Sequence, residues 1–125
     1  MDDEESGFLQ GKLGITNVVS ITKPRLDYSI GNFDLIICDP GRRLLSFDVQ
    51  NRGPQKSIDF FIVSTLRGGI KSVVGSCHYT DDSTRQHFLD DKTYLTTGNV
   101  SYVITPVGYD GVTGSEVTSQ QFEVI

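Results

Sequence analysis

The sequence has no tryptophan, one methionine and only two cysteines in 125 residues. Cys38 and Cys77 are too few for a disulfide scaffold, and their separation matches no metal-binding spacing. No apolar stretch approaches the roughly 20 residues that span a bilayer. The apolar runs Leu35–Cys38 and Phe60–Val63 stop after four residues, so membrane insertion is not expected. An excess of positive charge is also missing: the formal net charge is −5. An acidic surface repels phosphate, which argues against a nucleic-acid partner. The opening residues Met1 to Gly7 lack the basic and apolar segments of a secretory leader. Helical periodicity is absent as well. No window of about eleven residues repeats apolar positions at i, i+3, i+4 and i+7.

What the sequence does contain is period two. Leu45, Phe47 and Val49 alternate with Ser46, Asp48 and Gln50, the pattern of a strand with one buried face. Val100, Tyr102, Ile104 and Pro106 alternate in the same way, and Phe122 and Val124 are in phase near the end. Ile58 to Thr65 carries the continuous apolar run Phe60-Phe61-Ile62-Val63, expected as a central strand covered on both faces or facing a partner. Glycine is frequent, at 13 residues, and falls between these runs as turn punctuation. Asp39-Pro40-Gly41, Asn51-Arg52-Gly53-Pro54, Arg67-Gly68-Gly69 and Gly108 to Gly114 all read as turns. The polar stretch Thr80 to Asp91 encloses Phe88-Leu89. Strands at this spacing with turn signals between them predict an all-β sandwich or barrel.

Residues 1–12 are acidic and polar, with Phe8 and Leu9 the apolar exceptions. They cannot repay the entropy of ordering and are expected to be dispensable. Two short β-like runs follow, Ile15 to Ile21 and Leu26 to Ile30, separated by Lys23-Pro24. The expected division is a lead-in over 1–31 and the main domain over 32–125.

The stretch Tyr102-Val103-Ile104-Thr105-Pro106-Val107-Gly108-Tyr109-Asp110-Gly111-Val112-Thr113-Gly114 resembles the F strand and F–G loop of a fibronectin type III module. Pro106-Val107 stands where that family commonly has Ala-Val, and Asp110-Gly111 with Gly114 fits its loop. Leu45 to Val49 then occupies the place of strand B, and Ile58 to Thr65 that of strand C. The family usually carries a tryptophan on strand B, so Phe47 must fill that volume here. The family's corner tyrosine falls on Val100. The resemblance implies an immunoglobulin-like antiparallel β-sandwich of about seven strands. It also implies that Cys38 and Cys77 end their strands at opposite ends of the sandwich, separated by about 17–20 Å. A disulfide needs Cα atoms within about 7 Å, so two free thiols are expected, Cys38 largely buried and Cys77 more accessible.

Catalysis is not expected. No Gly-x-Ser-x-Gly elbow is present, and glycine-rich phosphate loops precede helices that this chain lacks. His78 and His87 flank Asp81, Asp82, Asp90 and Asp91, but the spacing fits neither a zinc nor a calcium template. No metal or cofactor is therefore assigned.

The candidate binding residues lie in surface loops, because a rigid sandwich presents its loops for recognition. Tyr109 and Asp110 sit in the Gly108–Gly114 loop, expected to be mobile, and Arg67 precedes Gly68-Gly69. Phe61, with Tyr79 and Tyr102, is a candidate for an outward aromatic face that stacks on sugar or packs on a neighbour. Asn99-Val100-Ser101 is an N-glycosylation acceptor if the chain is exported, with Asn99 expected to be exposed. The leading expectation is a non-catalytic protein-interaction or spacer module of a larger extracellular or surface-exposed protein, as in cell adhesion. A carbohydrate-binding module and a structural component of a viral or phage particle are the alternatives.

Overall fold

Eight strand segments follow one another without a helix in the computed structural model, which describes residues 26–38, 42–54, 57–91 and 98–124. They are β1 (Tyr28–Cys38), β2 (Arg42–Asn51), β3 (Ile58–Arg67), β4 (Ile70–His78), β5 (Arg85–Asp90), β6 (Gly98–Gly108), β7 (Val117–Thr118) and β8 (Phe122–Val124). A three-stranded sheet has the order β1-β2-β5, and a five-stranded sheet the order β4-β3-β6-β7 with β8 also on β6. Every named pairing is antiparallel. β7 and β8 are two parts of one edge strand. Between them, Ser119 donates its N–H to the carbonyl of Tyr102 and accepts the Tyr102 N–H on its hydroxyl. Counted this way the sandwich has seven strands, the number expected. The β-like run expected over 15–21 and residues 1–12, expected to be dispensable, lie outside the described residues.

The two sheets close on the apolar phase read from β2. Leu45 and Phe47 are fully buried, and Val49 is 2% exposed. On the facing sheet Phe61, Val63, Val100, Tyr102 and Ile104 complete the core. Four aromatic rings run through it. Phe33 lies 5.9 Å from Phe47, Phe47 lies 5.5 Å from Phe61, and Phe61 lies 5.8 Å from Tyr79, the last two pairs edge to face. Edge-to-face contact sets the positive rim of one ring against the negative face of the next.

Three register shifts shape the sheets. In β1 the shift lies between Gly31 and Asp34, where Asn32 adopts a left-handed φ of 51°. Asparagine tolerates this conformation better than most residues. The runs Leu26 to Ile30 and Phe33 to Cys38 thus join into one bulged strand, and residue 32 falls inside it rather than at its start. Opposite β3, Gly75 pairs with Val63 and Val73 with Ser64, which leaves Val74 as the extra residue. Val74 turns into the core while Val73 stays 66% exposed. Gly75 is needed there, because a Cβ would strike the Phe88 ring. The third shift leaves Asp59 between Ile58 and Phe60.

The central position expected for β3 holds, since it lies between β4 and β6. Its two faces are not equally covered. Phe61 and Val63 face the core, whereas Phe60 and Ile62 on the other face are half-buried. Across that outer face the Lys71 ammonium meets the Glu116 carboxylate at 2.6 Å, joining the sheet's two edges. The polar stretch after Thr80 holds a strand as well. β5 buries Gln86, Phe88 and Asp90 at alternate positions.

Cys38 and Cys77 are both free, as expected. Both are half-buried, which corrects the expected contrast between them. Cys77 packs against the core, and burial pushes its thiol up to about 11.

Candidate functional site

Antiparallel connection places alternate loops at opposite ends of the sandwich. The β2–β3, β4–β5 and β6–β7 connections gather at one end, together with the start of β1. We call this the loop end. The β1–β2, β3–β4 and β5–β6 connections occupy the other.

Side chains at the loop end tie the connections together. Arg52, just past β2, donates to the Ser29 hydroxyl at 2.6 Å and to the carboxylate of Asp27 at 3.1 Å. Its N–H also reaches the carbonyl of Asp27. Tyr28 donates its hydroxyl to the carbonyl of Ser115, linking β1 to the β6–β7 connection. Burial raises the Tyr28 hydroxyl above its ordinary range, and the bond to Ser115 partly offsets that. The ring lies against Gly114, where a Cβ would collide with it. The β4–β5 connection is pinned from inside by Gln86, which is 2% exposed. Its amide donates to the carbonyls of Thr80 and Ser83 and accepts from the Thr80 N–H. One buried side chain thereby satisfies three loop backbone groups that would otherwise need water.

The loop from Gly108 to Gly114, expected to be mobile, closes on itself as a hydrogen-bonded turn. Gly108 donates to Val112, Gly111 to Gly108, and Gly114 to Pro106. Asp110 accepts the Val112 N–H on its carboxylate. Gly111 has a φ of 83°, which excludes most side chains. On this braced turn Tyr109 is 64% exposed and Val112 is 46% exposed.

A cleft of about 560 Å³ lies between the β1 bulge and the β4–β5 connection. Asn32, Asp48, Gln50, Tyr79, Asp81 and Thr84 are among the residues that line it. The Asn32 amide donates to Asp48 at 2.8 Å, and Arg85 donates to the other carboxylate oxygen of Asp48 at 3.0 Å. Arg85 also holds the carbonyl of Asn32 at 2.6 Å, which fixes the bulge. The bonds from Asn32 and Arg85 hold the Asp48 carboxyl below its ordinary range. Burial, and then the charge of Asp81, push the Tyr79 hydroxyl up.

The sequence-predicted residues do not form one patch. Tyr109 and Asp110 stand together at the loop end. Arg67 ends β3 at the opposite end, and Asn99 begins β6 there, exposed as expected. Phe61 is fully buried and corrects the expectation of an outward aromatic face. Its phase puts it between Phe47 and Tyr79, and Tyr102 is likewise fully buried. His78 and His87 stand on different sheets. Sequence reasoning missed the cleft. Its one signal was Gly31-Asn32, a bulge-forming pair inside an otherwise alternating segment. No family model, curated protein or solved structure matches the chain.

Proposed function

We propose that this domain is a non-catalytic interaction module, fibronectin III-like in its strand order, that contacts a protein partner through the loop end. The order β1-β2-β5 and β4-β3-β6-β7 supports the fibronectin-like reading. In constant-type immunoglobulin domains the fourth strand joins the first sheet instead. Here it pairs with β3.

The observation that carries the functional reading is the braced turn with Tyr109 and Val112 outward. An exposed aromatic with few torsions gives contact area at low entropic cost, above all on a backbone that is already fixed. Asp110 is engaged within the turn, so its part is to shape the turn that presents Tyr109. An extracellular or surface setting is part of this reading, and in that setting the exposed Asn99 would be open to glycan attachment.

A photo-crosslinking residue placed at Tyr109 and, separately, at Ile36 tests the reading in the full-length protein. The expected result is one discrete partner crosslinked from position 109, competed by excess unlabelled domain but not by its Tyr109→Ala form. Crosslinks from position 36 with none from 109 contradict the reading.

A further inference from the structure

We infer that the cleft between the β1 bulge and the β4–β5 connection binds a neutral saccharide, independently of the protein contact at Tyr109. Its volume of about 560 Å³ falls within the roughly 300–1,000 Å³ typical of small-molecule sites. It is built before any ligand arrives. The Asn32–Asp48–Arg85 network fixes one wall, and Gln86 fixes the loop that forms the other.

The groups left over indicate the ligand chemistry. The side chains of Gln50, Asp81 and Thr84 line the cleft and make no hydrogen bond among the described residues. The raised Tyr79 hydroxyl stays protonated and remains a donor. An amide, a carboxylate and two hydroxyls supply both donors and acceptors, as adjacent sugar hydroxyls require. Ile30 and Tyr79, both half-buried, add apolar surface for the C–H face of a pyranose.

Other ligand classes fit less well. An anion meets Asp81 and a chain of net charge −5. A lysine or arginine from a partner finds the Asp48 carboxylate already held by Arg85, which leaves Asp81 alone to pair with it. Among the described residues no three His, Cys, Asp or Glu side chains group to hold a metal ion.

The test is an NMR titration of the ¹⁵N-labelled chain with methyl glycosides of glucose, galactose, mannose and N-acetylglucosamine, and with lactose and maltose. Concentrations up to about 20 mM reach millimolar dissociation constants. The inference expects at least one of these sugars to shift the amides of residues 29–32, 48–51 and 79–84. Gln50→Ala and Asp81→Ala should each weaken that binding about tenfold or more. Both residues are exposed, and unchanged melting temperatures verify that the variants fold. Tyr109→Ala should leave sugar binding intact. The inference is overturned if no sugar in the panel shifts these amides. It is also overturned if the shifts survive both cleft variants or vanish with Tyr109→Ala. Saturable binding of an oligolysine peptide at these amides in place of sugar overturns it as well.

Discussion

The two ends of the sandwich invert each other. At the loop end, most of the polar side chains that hold the connections lie outside the core, with Gln86 the buried exception. Arg52, Tyr28, Asp48 and Arg85 all make bonds there with solvent close by. Toward the opposite end the polar groups are inside. Asp90 is fully buried and accepts the Tyr102 hydroxyl at 2.5 Å, joining β5 of one sheet to β6 of the other. Arg43, its cross-strand neighbour, is 3% exposed. Several aliphatic side chains there are outside: Ile36, Ile37, Ile70 and Leu89 are all exposed. Buried polar groups cost heavily unless satisfied, so the Asp90–Tyr102 bond belongs to the stability of the fold. The loop end carries its hydrogen bonds where exchange with water is cheap, which leaves its surface available for recognition.

Substitutions can break or sharpen this contrast. The largest effect is expected between the ends, at Phe47. Phe47→Ala removes the ring that touches both Phe33 and Phe61 and should cost about 3–5 kcal/mol by chemical denaturation. A loss below about 1 kcal/mol would mean that the β2 register is wrong.

Next is Tyr102→Phe. It keeps the ring but withdraws the proton from a buried carboxylate, an expected loss of about 1–3 kcal/mol. A neutral outcome would place the Asp90–Tyr102 contact outside the stability of the fold and erase the difference between the ends.

The loop end should respond to pH through Asp48. Its folded carboxyl is held below the ordinary value of 3.8. Its contribution to stability is therefore complete above that value and is lost as pH falls through the lowered folded value. Asp48→Asn removes this dependence. Melting curves of the two proteins should be separated at neutral pH and converge below about pH 4. Parallel curves down to pH 2 or so would contradict the network. The smallest effect is expected at Tyr109→Ala, within about 0.5 kcal/mol of the parent, because the turn is held by its backbone and by Asp110.

The part of the fold legible in the sequence is the part whose apolar residues alternate. Leu45, Phe47 and Val49 set the phase of β2 and the burial of Phe47 follows directly, whereas the alternation in β6 marked only one of two faces that are both buried. β3 gave its central position but not its phase. In an unbroken run Phe60 and Phe61 look alike, and only pairing with β4 and β6 turns Phe61 inward. β5 was hidden for a different reason. Two of its three buried residues, Gln86 and Asp90, are polar and become compatible with the interior only through partners outside the strand, the adjoining loop backbone for Gln86 and Tyr102 of the other sheet for Asp90. The cleft was hidden because it depends on Asn32 and Arg85 meeting Asp48 across two strand pairings.

The placement of every loop follows from the strand order, and β4 decides that order. Cross-strand nuclear Overhauser effects on the labelled chain test it most directly. The account predicts contacts between Ile62 and Ser76 and between Leu66 and Lys71, which are register partners of β3 and β4. It predicts no ladder of backbone contacts from β4 to β5. A continuous β4–β5 ladder, with the β3–β4 contacts absent, would move the fourth strand to the other sheet and contradict the account.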